Sequence, residues 1–274
     1  MLVAALALLA FLSIQPLAAL QWRLLLPAPR PSYPRLLRTF ALASTANNGI
    51  NSFVGHAAAT ALVAREPGVG SGPAIALLVL DQLVVAIVKL LVLALAVVMA
   101  SGSAPLQRTS VLLPLGCAIV ALLALLALSR RMATLPAWIP QRVRTLVTPV
   151  HQALREPGAP GAVLRALPVG VMIRVMEALA MVAMHVALGL TISTVQLPLL
   201  LGATAIATML PIVPGNLGTY EGALVGVYLS LGVPLERALP AAALQHACQL
   251  TAAIVPGLLI AVLRVPHLRR PPTT

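Results

Sequence analysis

The chain has 274 residues, of which 60% are hydrophobic and only 9% charged, a balance that excludes an ordinary soluble globular domain and points to a polytopic membrane protein. Its formal net charge of +12 does not imply a nucleic-acid partner, because the basic residues collect in the connections between apolar runs. Cys117 and Cys248 each stand isolated in apolar sequence, which suggests neither a disulfide framework nor a metal site.

The first apolar run, Leu2 to Leu20, has no Lys or Arg ahead of it, so it is expected to span the membrane rather than to be a cleaved leader. Two shorter runs follow, Leu36 to Ala46 and Ile50 to Ala64, around a break at Asn47 to Gly55. Ala74 to Met99 and Ser110 to Leu128 are each long enough to cross. The segment from Ser129 to Arg165 carries six arginines, several prolines and Trp138, and reads as a basic cytoplasmic linker. Ala166 to Leu190 crosses again. Leu197 to Ile212 and Thr219 to Leu231 then flank a second break, Pro211 to Gly218, and Leu239 to Leu263 is the last crossing.

Each short pair is either one kinked crossing or a hairpin that returns to its own side, since a spanning helix needs ~20 residues. Arginine placement chooses between them. With two hairpins and the N-terminus outside, only Arg108 and Arg237 fall outside and fourteen other loop arginines are cytoplasmic; with two crossings the sixteen divide 8 to 8. Basic loops stay cytoplasmic. The expected fold is therefore an all-α integral membrane protein with five crossing helices and two re-entrant hairpins, 36–64 and 197–231, whose tips approach from opposite faces. Residues 1–274 form one polytopic domain, with halves 1–128 and 166–274 joined by the linker 129–165, and the C-terminus is cytoplasmic.

The halves carry a candidate inverted repeat. Gly55, Gly68-Val69 and Ala74 align, with a one-residue gap, against Gly218, Gly232-Val233 and Ala238, and Asp81-Gln82 falls on Gln245-His246. Inverted repeats with discontinuous helices near the midplane are a transporter architecture, and broken helices at membrane depth need protein or a wet cavity to satisfy their backbone.

Ionisable side chains inside spans cost roughly 2.5–3.5 kcal/mol at the helix centre, so each needs a reason. Asp81 and Lys89 lie eight residues apart on one helix, Arg174 and Glu177 three apart on another, and His185 two turns further along. Gln245, His246 and Gln249 add a polar stripe to the last helix. These groups are either interhelical glue or the wall of a cavity, with His185 expected to be a satisfied core histidine. Glu221 falls in the first turn of a short helix, where it complements the helix dipole or meets a lipid headgroup, while the helix N-terminus itself attracts phosphate. Gly215 and Gly218 permit a tight turn, Pro211 and Pro214 stop the incoming helix, and Asn47, Asn48 and Asn51 can satisfy loose backbone. The predicted substrate-binding set is Asn48, Asn51, Arg174, Glu177, Gly215, Asn216, Gly218 and Glu221. No nucleophile with a base, phosphate loop or carboxylate pair is found, so no catalytic residue, cofactor or metal is expected.

The run Pro211-Ile212-Val213-Pro214-Gly215-Asn216-Leu217-Gly218-Thr219-Tyr220-Glu221, followed by Gly232-Val233-Pro234 and an Ala-rich helix, resembles the signature of the lysylphosphatidylglycerol synthase transmembrane region family, the flippase-like domain of bacterial lipid-modifying proteins. Asn216 stands where that family has a second glycine. Gln21-Trp22-Arg23 through Asn48 and Gly55 to Gly68-Val69 and Asp81 is similar to the family's other break. There the family tends to carry Pro, Arg, Glu and a second Arg, against Asn51, Phe53, His56 and Ala59 here, so the charged gate is missing. The resemblance implies lipid translocation across the bacterial cytoplasmic (inner) membrane by a stand-alone member. It does not imply aminoacyl transfer, since the chain carries no synthase domain. Expected partners are membrane lipids, anionic on the cytoplasmic side, where an arginine collar attracts them by ~1 kcal/mol per residue. A non-transporting scaffold for envelope-lipid or glycan biosynthetic enzymes is the alternative.

Overall fold

The computed structural model describes residues 2–50, 52–100, 141, 148, 151–156, 158–193, 196–208 and 213–264. The regular structure of these residues is helical, without strands. The predicted crossing Ser110 to Leu128 and most of the linker 129–165 lie outside the described residues.

Among the described residues, four helical stretches are long and apolar enough to cross a membrane: Val3–Leu25, Ser71–Val98, Ala159–Ala187 and Leu235–Leu263. The first is two helices, α1 (Leu2–Leu12) and α2 (Ile14–Leu25), jointed at Ser13. Pro16 withholds a backbone N–H there, and the Ser13 hydroxyl turns back to the Ala10 carbonyl at 2.7 Å, two ordinary causes of a helix bend. This span ends at Leu25 rather than at Leu20, because Trp22 and Leu25 are buried in the main core cluster.

Between the first two spans the chain folds back on itself. Helices α3 (Tyr33–Gly49) and α4 (Ser52–Ala64) have 17 and 13 residues, ~25 and ~20 Å of rise, against ~30 Å of hydrocarbon. Leu36 and Ala43 pack in one cluster with Ala59 and Val63, and the hairpin is closed at its base where Thr39 Oγ1 donates to Glu66 Oε1 at 2.7 Å. At its tip Gly55 lies against Asn47 so closely that any side chain on residue 55 would overlap the Asn47 backbone. The break is narrower than the sequence suggests. Asn47, Asn48 and Gly49 continue α3, because Asn48 Nδ2 donates to the Ser44 carbonyl one turn back at 2.9 Å.

Helix α5 (Ser71–Ala100) follows, and the described chain resumes its regular course with α6 (Ala159–Ala187). The latter starts ahead of the predicted Ala166, with Pro160 in its first turn, where a missing N–H costs nothing. Ala162 and Val163 are buried against the first hairpin's cluster, so the end of the predicted linker is helix and Arg165 lies on it.

The second short pair is α7 (Leu197–Ala207) and α8 (Thr219–Ser230), of 11 and 12 residues, separated by the 3-10 turn Pro214–Asn216. Gly215 (φ 60), Asn216 (φ 56) and Gly218 (φ 82) all take left-handed backbone there, which explains two of the glycines directly. The final helix, α9 (Leu235–Arg264), starts after Pro234, earlier than the predicted Leu239. Arg237 in its first turn donates to the Leu188 and Gly189 carbonyls at 3.2 and 2.8 Å.

Packing crosses between the halves. Helix α5, which follows the first hairpin, packs on α7 of the second, while α9, which follows the second, packs on α3 of the first. Small residues allow both approaches, as expected for helices in lipid: Gly202 faces Ala96, and Gly257 faces Ala41 and Thr45. The repeat positions match in conformation too, since Gly68 and Gly232 have φ of 81 and 79, and Ala74 and Ala238 are both fully buried. Gly55 and Gly218 do not match, one lying inside the first turn of α4 and the other being a left-handed N-cap. Leu164, Val262 and Leu263 are 67%, 66% and 71% exposed, an outward apolar surface that suits hydrocarbon rather than water.

Candidate functional site

A cavity of about 350 Å³ opens where the two hairpins meet. Its walls come from α2 (Gln15, Gln21, Trp22), the end of α3 (Asn47, Asn48), the start of α4 (Gly55, His56), α5 (Asp81, Lys89), α6 (Arg174, Glu177), Thr208 at the end of α7, Asn216 and Gln249. Polar and charged groups thus converge from both halves on a space enclosed by apolar helices, the arrangement expected where intramembrane ionisable residues have a function.

The charges are organised. Arg174 Nη1 donates to Glu177 Oε2 at 2.5 Å, the one-turn pairing their spacing allows. Lys89 Nζ donates to Thr208 Oγ1 at 2.8 Å, and that hydroxyl in turn donates to the Thr204 carbonyl at 2.7 Å. Asp81 accepts from Gln21 Nε2 at 2.8 Å, with His56 near enough to act on its charge. Gln15 Nε2 reaches the Ala252 and Ala253 carbonyls of α9 at 2.8 and 3.1 Å. Pro256, inside that helix, cannot bond the carbonyl of residue 252.

Behind the second break lies a separate buried network. Glu221 Oε2 accepts the Gly218 N–H at 2.7 Å, capping α8, while Oε1 meets His246 Nδ1 at 2.7 Å. Tyr220 stacks on His246 with ring centroids 4.3 Å apart. Gln245 donates to the Tyr220 hydroxyl at 3.1 Å and accepts from Tyr228 at 3.4 Å, and Tyr228 meets His185 at 2.7 Å. His185 is a buried, satisfied histidine, and the network ties α6, α8 and α9 together.

Of the residues predicted to bind substrate, Asn48, Asn216, Arg174 and Glu177 stand on the cavity wall. Gly215 is buried beside it: a Cβ there would lie 3.0 Å from the Asn48 carbonyl oxygen, which marks the contact between the hairpin tips. Gly218 and Glu221 are not among the wall residues, because the carboxylate turns onto its own helix N-terminus and onto His246. Asn51 lies outside the described residues. Asp81 and Lys89, weighed above as either interhelical glue or cavity wall, are wall residues, as are Gln15 and Thr208, which sequence reading passed over. For Gln15 the available signal was a carbonyl freed by Pro256 and needing a donor from another helix. Among the described residues no group of His, Cys, Asp or Glu is placed to hold a metal ion.

No curated protein and no solved structure matches the chain. The family model of the lysylphosphatidylglycerol synthase TM region matches residues 1–257, which include every described residue of the cavity wall. The chain is a multi-pass membrane protein and belongs to the lysylphosphatidylglycerol synthase TM region family, a membrane domain of lipid-related proteins.

Proposed function

We propose that the protein moves, or helps to move, a polar phospho- or glycolipid between the leaflets of the bacterial cytoplasmic membrane, and that it is not an enzyme. The observation that carries this reading is the meeting of two hairpins, each built of helices too short to cross, at a cavity lined by Asp81, Lys89, Arg174 and Glu177. In this reading both hairpins are re-entrant and enter from opposite faces, the N-terminus is outside, and five crossings include the segment Ser110 to Leu128. The headgroup occupies the cavity while the acyl chains stay in the bilayer alongside the apolar outer helices. Arginines on the cytoplasmic side, among them the exposed Arg23 and Arg65, hold anionic lipid near the entrance.

The test is reconstitution of the full chain into vesicles carrying lipids labelled on an acyl chain, with leaflet exchange followed by accessibility of the label. Accelerated exchange that depends on the protein is the expected result. Absence of exchange at every lipid composition would instead support a non-transporting scaffold of a lipid or envelope-glycan biosynthetic enzyme. One observation favours that second reading: Arg174 and Glu177 already neutralise each other, so the α6 side of the wall has no charge left over for a substrate.

A further inference from the structure

We propose that the corner of the cavity between Gln15, Asn48 and Gln249 is a binding site for a monovalent alkali cation; the inference goes beyond the lipid-transfer reading and does not depend on it. Four buried side-chain atoms among the described residues have no hydrogen-bond partner: Gln15 Oε1, Gln21 Oε1, Gln249 Oε1 and Trp22 Nε1. All four belong to residues of the cavity wall. Three are amide oxygens, and at membrane depth an unpaired acceptor is costly enough to call for an occupant.

Two of these oxygens share one seam. Gln15 is only 5% exposed, and the orientation of its amide is fixed: Nε2 must face the Ala252 and Ala253 carbonyls at 2.8 and 3.1 Å, so Oε1 is turned away from them. Gln249 stands one helical turn before those alanines on α9. Asn48 joins from the first hairpin. Its carbonyl oxygen and the Leu250 side chain are the nearest atoms that a Cβ on Gly215 would meet, which brings the end of α3 to the level of Gln249. Gln21 Oε1 lies apart, against Gly170 of α6, and takes no part.

The donors at this corner are spent and the oxygens are not. Gln15 Nε2 is taken by α9, Asn48 Nδ2 by the Ser44 carbonyl, and Thr45 Oγ1 by the Ala41 and Ile254 carbonyls. What faces the cavity is Gln15 Oε1, Gln249 Oε1 and the Asn48 carbonyl. The last of these lies in the final turn of α3, where a helix leaves carbonyls unpaired and carries the negative end of its dipole. Half-helix C-terminal ends and backbone carbonyls of this kind coordinate sodium in transporters with broken helices. None of the three residues is a carboxylate, the ligand that divalent ions favour, so the site suits a single positive charge. The full cations of the wall are engaged elsewhere, Lys89 at Thr208 and Arg174 at Glu177.

The experiment uses the full chain in detergent and measures retention of radioactive sodium and of rubidium, a stand-in for potassium, by equilibrium dialysis. Saturable retention of one of them, displaced by its unlabelled salt, is the expected result. An ion that binds only the folded state also stabilises it in a concentration-dependent way, so melting in that alkali chloride should lie several degrees above melting in choline chloride of the same ionic strength. Gln249→Leu, which removes an unpaired oxygen and keeps an apolar bulk, should abolish both effects. No saturable retention of either ion overturns the inference and leaves the corner to water. Retention that survives Gln249→Leu in folded protein overturns it as well, by placing the ion elsewhere. Should Gln249→Leu fail to fold, Gln249→Met takes its place under the same two outcomes. Neither readout involves lipid movement, so failure here and failure of the lipid-transfer reading are told apart.

Discussion

Gln15 supplies the hydrogen bond that Pro256 withholds. Its amide donates at 2.8 Å to the Ala252 carbonyl, four residues before a proline that has no N–H to offer. In a bilayer such a carbonyl cannot turn to water, so a side chain from the first span repairs the last helix. Gln15→Leu should destabilise the protein by roughly 1–3 kcal/mol. Adding Pro256→Ala should recover part of the loss, because the new N–H can close the helix itself. The check is a double-mutant cycle of denaturant unfolding in detergent; a cost of Gln15→Leu that is the same with and without Pro256→Ala contradicts the repair.

Gly55→Ala should loosen the tip of the first hairpin. The added carbon falls on the Asn47 backbone, which cannot move without shifting α3, and overpacking of this kind costs about 1–3 kcal/mol. Gly222→Ala, on α8 with nothing within 4 Å of the new carbon, is the control and should be neutral or stabilising by up to ~1 kcal/mol. Melting temperatures of the two variants measured side by side should differ in that sense.

Glu221→Ala removes both the acceptor at the Gly218 N–H and the partner of His246, with an expected loss of about 0.5–2 kcal/mol typical of a helix cap. Glu221→Gln keeps an acceptor and should cost less. Because the carboxylate is turned off the cavity wall, folded Glu221→Gln protein should exchange lipid at close to the wild-type rate; a severe transport defect with normal stability would return Glu221 to the substrate path.

Single cysteines at positions 23 and 65, in a chain whose Cys117 and Cys248 are replaced by alanine, should both react with a membrane-impermeant thiol reagent from the cytoplasmic side. Both native arginines are exposed, so access is not limited by packing. Labelling from opposite sides would make α3 and α4 a crossing and remove the basis for a re-entrant hairpin.

The four described long spans were legible because twenty or more apolar residues admit few other structures, and the two short helix pairs because Asn, Gly and Pro interrupt their apolar runs. The end of α3 was not legible: Asn47, Asn48 and Gly49 are turn formers by propensity, and what keeps them helical is the Asn48 bond to Ser44 and the contact with Gly55, neither visible in composition. Arg174 with Glu177 could be read from a spacing of three. The pairing of Lys89 with Thr208 could not, since 119 residues separate them and only the approach of α5 to α7 makes them neighbours. Glu221 illustrates a true ambiguity of sequence, as a carboxylate in a first helical turn serves cap and cavity alike until its rotamer is known.

The exchange of long helices between halves makes the molecule an interlocked clasp. Drawing α3 outward drags α9, to which Gly257 and Thr45 hold it, and α9 carries the second hairpin's return arm; displacing α7 likewise pulls on α5 and through it on α4. Displacement of one hairpin is therefore coupled to the other, and under the lipid-transfer reading proposed above the two halves are expected to tilt together.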